Sequence, residues 1–165
     1  MRRRALALGL LAMLAAIGCQ LAPGATFPGE PLHLARLTNE GDAARRASLR
    51  LVLAGIEADE RGRGAEASSS YQRALQVDPN NPYAWLALAR QEVFDGDPDR
   101  GLAHLDKAQA LLGTDERSAA HLAGIRGAGL VAMGRGPLGE PFLQEARSLA
   151  PGAWADGKLD ASELR

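Results

Sequence analysis

Apolar positions fall along the chain in two regimes. Ala5 to Ile17 form an unbroken, uncharged apolar run, preceded by Arg2, Arg3 and Arg4 and followed by Gly18 and Cys19. Further on, apolar and polar residues alternate in a cassette that appears three times: Tyr71-Gln72-Arg73-Ala74-Leu75, Leu105-Asp106-Lys107-Ala108-Gln109 and Leu143-Gln144-Glu145-Ala146-Arg147. Ala74, Ala108 and Ala146 hold the same place in each copy, and the second interval between them is the longer by four positions. Ala67, Gly101 and Gly139 each stand seven positions before a cassette alanine, and Gly55, Ala89 and Gly127 precede those by twelve. Three registers agreeing in three copies predict one structural unit repeated along the chain.

Composition makes that unit helical. The 165 residues include 32 Ala, 26 Leu and 19 Gly, but Val, Ile and Thr together number only 10, which excludes a strand-rich domain. A charged fraction of 24% beside 46% hydrophobic residues points to an ordered globular chain. With aromatic residues at 4%, its core must bring helices together through small side chains.

The N-terminal run has the grammar of a targeting segment: a positive stretch, an apolar stretch and a small residue. It falls short of the roughly 20 residues needed to span a bilayer core. Ala16-Ile17-Gly18-Cys19 resembles a bacterial lipoprotein signal, which implies cleavage before Cys19 and lipidation of its thiol; an ordinary secretory signal is the alternative. Residues 20–33, with Pro23, Gly24, Pro28, Gly29 and Pro31, lack helical periodicity and read as a tether. Gln20 after the cysteine implies sorting to the outer membrane, facing the periplasm. Removal of residues 1–18 leaves 16 basic and 20 acidic side chains, a formal charge of −4. Nucleic acid is therefore not an expected partner, and the membrane would be reached through lipid.

The three-copy pattern resembles the tetratricopeptide repeat family, whose helix–turn–helix units carry small residues at these places. The middle copy carries the resemblance most fully, with Trp85, Leu88 and Ala89, then Gly96-Asp97, then Gly101, Leu105 and Ala108. The resemblance implies an all-α, right-handed α-solenoid of three hairpins. Its expected divisions are signal 1–18, lipidated tether 19–33, a short helical lead-in 34–47, repeats 48–81, 82–115 and 116–153, and a tail 154–165. Gly55, Ala67, Ala74, Ala89, Gly101, Ala108, Gly127, Gly139 and Ala146 are then the close-packing positions. Asn81 and Pro82 form a cap and first turn, and Thr114 is the expected cap of the third unit. Departures cluster in that unit: Arg126 replaces a leucine, Gly113 replaces the closing proline of the second copy, and four residues are added around Asp115 to Ser118. Pro141 implies a late helix start or a distorted unit. Trp154, Leu159 and Leu164 are the expected cover for the open end of the stack.

Catalytic chemistry is not indicated. Gly127-Ala128-Gly129-Leu130-Val131-Ala132 matches a dinucleotide fingerprint in letters, but that motif needs a strand before it, and Gly127 lies inside an expected helix. His33, His104 and His121 are dispersed and read as surface histidines. Ser68-Ser69-Ser70 has no partner base. No metal, no cofactor and no enzymatic activity are expected.

Binding is what the resemblance implies. Its groove-facing places are Leu49, Val52, Ile56, Asp59 and Glu60, then Tyr83, Leu86, Arg90, Val93 and Phe94, then His121, Gly124, Ala128, Val131 and Ala132. Two readings of this apolar surface stay open: it receives a partner's peptide or helix, or it is covered by residues 34–47 and the C-terminal tail. The expected function is a non-enzymatic adaptor lipoprotein holding a protein partner in envelope assembly, of the pilus, secretin, cell-wall or exopolysaccharide kind. Self-association through the last repeat, as a structural subunit, is the alternative.

Overall fold

A computed structural model describes residues 32–165. The signal segment, Cys19 and the tether up to residue 31 lie outside the described residues. Leu32, assigned to the tether by its sequence context, is already buried in the body of the protein.

The described residues are helical and contain no strand. A 3₁₀ turn, Leu34–Leu37, leads into six helices: α1 Ala43–Glu60, α2 Gly64–Val77, α3 Pro82–Asp95, α4 Pro98–Leu112, α5 Glu116–Ala132 and α6 Gly136–Leu149. Local chemistry sets most of the boundaries. Asp42 caps α1 by accepting from the Arg45 amide at 2.8 Å. Asn81 caps α3 through the Tyr83 amide at 3.1 Å, and Pro82 takes the first turn, where a missing N–H costs nothing. Gly96 ends α3 at φ 101°, a left-handed conformation that side-chain-bearing residues rarely adopt. Asp97 and Pro98 then start α4. At α5 the cap position falls to Asp115, not Thr114, and Asp115 turns its carboxylate to Ser118 Oγ and Arg117 Nε. No late start occurs in α6, which begins at Gly136 and carries Pro141 in its interior.

The helices pair in sequence order, α1 with α2, α3 with α4 and α5 with α6, and α2 and α4 each pack on the hairpin that follows. This leaves α1, α3 and α5 side by side on one face. All nine small residues of the repeat pattern are buried. A Cβ on Gly55 would overlap the Tyr71 ring. On Gly101 it would lie 3.0 Å from the Ala89 carbonyl oxygen and 2.6 Å from a Val93 methyl. On Gly139 it would lie 2.6 Å from the Gly127 oxygen and 3.0 Å from a Val131 methyl. The second and third hairpins thus close through equivalent atoms, with Gly139, Gly127 and Val131 standing for Gly101, Ala89 and Val93. Helices in such contact are nearer than large side chains permit.

Polar groups, buried at Ser48 and Asn81 and partly exposed at Arg45, tie the first hairpin to the second. Ser48 Oγ donates to the Ala74 carbonyl at 2.8 Å and accepts from Asn81 Nδ2 at 2.8 Å. Arg45 pairs with Asp78 and donates to the Asn80 carbonyl at 2.8 Å. Between the second and third hairpins the corresponding tie is Arg126, whose guanidinium reaches Asp106 at 2.7 Å and Gln109 at 2.9 Å across α4 and α5. Leucine is what the repeat resemblance implies at this position, and the charge of Arg126 is met by acceptors on the neighbouring helix.

Candidate functional site

The face built by α1, α3 and α5 is occupied by the chain itself. Leu49, Val52, Ile56, Tyr83, Leu86, Arg90, Val93 and His121 are all buried, and Phe94 is half-buried against the same core. Of the expected groove residues, Glu60, Val131 and Ala132 stay exposed. The cover comes from both ends of the described chain. Leu32, Leu34 and Leu37 pack from the N-terminal side, and Trp154, Leu159, Ala161 and Leu164 from the C-terminal side.

Residues 154–165 cross the three helices in order. Trp154 lies against Gly124 of α5, so closely that a Cβ there would overlap the indole. Leu159 reaches α3, where its carbonyl accepts from Arg90 Nη1 at 3.1 Å. A second 3₁₀ turn, Ala161–Leu164, rests on α1. Arg165 then reaches Glu60 at 3.4 Å and accepts, through its carbonyl, the Ala35 amide at 2.9 Å. That last bond joins the two covering segments. Trp154, Leu159 and Leu164 therefore close the groove and not the open end of the stack, because the groove offers three helices' worth of apolar surface.

Two charged or titratable groups sit under this strap. Arg90, the central cation of the expected groove, pairs with Asp59, and its Nε is buried without a partner. His121 is fully buried and not a surface residue. Burial, with a smaller contribution from His33, pushes its imidazole down to about 4. The neutral ring accepts the Trp154 indole N–H at Nδ1, 3.4 Å away, which puts the ring proton on Nε2. A polar opening of about 520 Å³ remains at the strap's edge, lined by Asp59, Glu60, Arg90, Asp160, Ala161 and Ser162.

The outer face of α6, where a fourth hairpin would stack, is polar. On α4 the positions that meet the next hairpin are Leu102, Asp106 and Gln109. Their equivalents on α6 are Glu140, Gln144 and Arg147, and these pair with one another, Arg147 to Glu140 at 3.1 Å.

A cavity of about 220 Å³ opens elsewhere, between the start of α5 and α6. Ala119, Leu122, Ala123 and Phe142 line its apolar part, and Gly113, Asp115, Glu116, Arg126 and Glu145 are among its polar lining. Burial raises the Asp115 carboxyl, but the Ser118 hydroxyl and the Arg117 guanidinium outweigh it and hold the group below the usual carboxylate range. Sequence reading missed this cavity, since Ala123 is one alanine among many; its signal was that Leu51 and Trp85 occupy the matching place in the earlier copies.

Among the described residues no three potential metal ligands come together, and no helix is long and apolar enough to cross a membrane. His104 is engaged structurally, with Glu92 at Nδ1 and its ring 5.2 Å from that of Trp85. Comparison with protein-family models, with curated proteins and with solved structures gives no match.

Proposed function

We propose that the chain is a lipid-anchored adaptor of the tetratricopeptide repeat kind, a right-handed solenoid of three hairpins that holds a protein partner at the bacterial envelope, tethered through Cys19 to the outer membrane. The observation that carries the reading is the repetition of one interhelical contact. Gly101 against the Ala89 carbonyl and Gly139 against the Gly127 carbonyl are the same close approach built twice, and a second approach, Gly55 against Tyr71 in the first hairpin, recurs as Gly127 against Leu143 in the third. Stacked hairpins of this design present extended surfaces suited to binding.

The strap changes where a partner binds. A peptide or helix enters the groove only by replacing residues 154–165, so an adaptor with the strap in place meets its partner on the surface outside it. The ion-paired outer face of α6 argues against the alternative of end-to-end self-association.

In cells, an alkyne fatty acid should label the wild-type chain and not Cys19→Ser, and the label should follow the outer-membrane fraction. A photo-crosslinking residue at the exposed positions Ala103 or Leu138 should give a discrete adduct with a different protein. Adducts of twice the chain's own mass would establish the self-associating subunit instead, and an unlabelled chain would remove the lipid anchor.

A further inference from the structure

Trp85 of the second hairpin has three partners: the His104 ring at 5.2 Å, the Lys107 ammonium 4.4 Å above the indole, and the Pro79 carbonyl, which accepts the indole N–H at 3.0 Å. In the third hairpin Ala123 stands where Trp85 stands, in the register that sets Gly127 for Ala89 and Gly139 for Gly101. In that register Phe142 and Glu145 replace His104 and Lys107. Gly113 replaces Pro79, counted without the four added residues because they come later in the chain. All three equivalents line the 220 Å³ cavity, as does Ala123 itself. The cavity lies among the third hairpin's equivalents of the groups that surround the Trp85 indole in the second, with the methyl group of Ala123 at the tryptophan's position. A dry cavity of about 150 Å³ is enough to hold benzene, so this one has room for a two-ring side chain.

The rim has changed sign. Lys107 is replaced by Glu145, and no ion pair among the described residues engages Glu145 or Glu116, both exposed at the opening. The other two charges, Asp115 and Arg126, are already paired, with Arg117 and Asp106. An incoming aromatic group therefore meets two free carboxylates.

We propose that this cavity is a docking site for a tryptophan side chain of a partner protein, presented next to a basic residue. The indole fills the place of the missing Trp85 equivalent, stacks against Phe142 and offers its N–H toward Gly113, while the neighbouring Lys or Arg of the partner meets Glu145 and Glu116. The inference takes from the adaptor reading only that a protein presents the indole; the berth is tested on the isolated chain, so its failure leaves lipid anchoring and adaptor function standing.

The test is nuclear magnetic resonance titration of the full-length chain with a hexapeptide of Gly and Ser around a central Trp-Arg pair, carried to about 1 mM, the range of single-pocket contacts. Amide shifts should saturate and centre on Ala119, Ala123 and Phe142. A peptide with alanine for tryptophan should not bind. Ala123→Trp, which restores the second hairpin's residue, and Ala123→Leu, which copies Leu51 of the first, should each weaken binding by about tenfold or more with helical circular dichroism unchanged. Glu145→Lys should invert the preference from a Trp-Arg to a Trp-Glu peptide, by roughly threefold each way at low salt. Equal binding of the alanine peptide, shifts centred elsewhere, no saturable shift at all, or affinities unmoved in both Ala123 variants would overturn the proposal.

Discussion

Arg90 of α3 donates from Nη1 to the backbone carbonyl of Leu159, 3.1 Å away and far along the chain. The same guanidinium pairs with Asp59 of α1, so one cation joins two helices and the C-terminal strap. Arg90→Met should therefore remove both ties and leave Asp59 without its partner. Breaking a buried pair from one side costs about 3 kcal/mol, to be read from urea unfolding. The double variant Arg90→Met with Asp59→Leu should recover more than half of that loss, since no uncompensated charge remains.

Trp154 is fully buried against Gly124 and His121. Trp154→Ala should cost about 4 kcal/mol, a large share of an ordinary domain's stability. Gly124→Ala attacks the same contact from the other side by overpacking, at about 2 kcal/mol. Deleting residues 154–165 should uncover Leu49, Val52, Ile56 and Leu86 and so raise binding of a hydrophobic dye and promote association in light scattering. A truncated chain that stays monomeric and dye-silent would mean that the strap is not the cover.

Glycine positions of the repeat should separate sharply in unfolding experiments. Gly139→Ala brings a methyl group to 2.6 Å from the Gly127 oxygen, a backbone atom that cannot step aside, and should cost about 2 kcal/mol. Gly136→Ala, earlier in the same helix, meets nothing within 4 Å and should be neutral or stabilise by about 0.5 kcal/mol through helix propensity. Equal effects at the two sites would contradict close packing at Gly139.

Acid should loosen the strap through His121. Its folded-state value is held down to about 4, below the ordinary 6.5, so the unfolded chain binds the proton first as pH falls. The stability associated with the neutral ring is complete above about 6.5 and is lost progressively down to about 4, a total near 3 kcal/mol, with no further change from this group below that. His121→Asn keeps an acceptor for the Trp154 indole and removes the titration. Its unfolding free energy should fall less steeply between pH 6.5 and 4 than that of the wild type.

Much of the helical architecture is readable from residue order because it rests on local rules. Asn81 with Pro82, and Gly96 with Asp97 and Pro98, mark helix ends whose chemistry is complete within a few residues. The recurrence of Gly55, Ala89 and Gly127 before Ala67, Gly101 and Gly139 marks where two helices touch, because close approach needs small residues on both. The all-α class follows from these signals together with the scarcity of β-branched residues.

The destination of the tail had no such signal. Trp154, Leu159 and Leu164 state in sequence that residues 154–165 must be buried, but an apolar side chain is indifferent to which apolar surface receives it. Only the assembled α1, α3 and α5 decide, by offering a continuous apolar face with Arg90 placed to take the Leu159 carbonyl. The cavity at Ala123 is hidden for the same reason. A space is a property of several elements at once, and it exists only where Phe142 and Gly113 are brought round an alanine that the preceding hairpin replaces with tryptophan. Sequence by itself determined the repeating unit, since its causes are local in the chain; tertiary structure decided what each face meets, since that depends on surfaces no single segment contains.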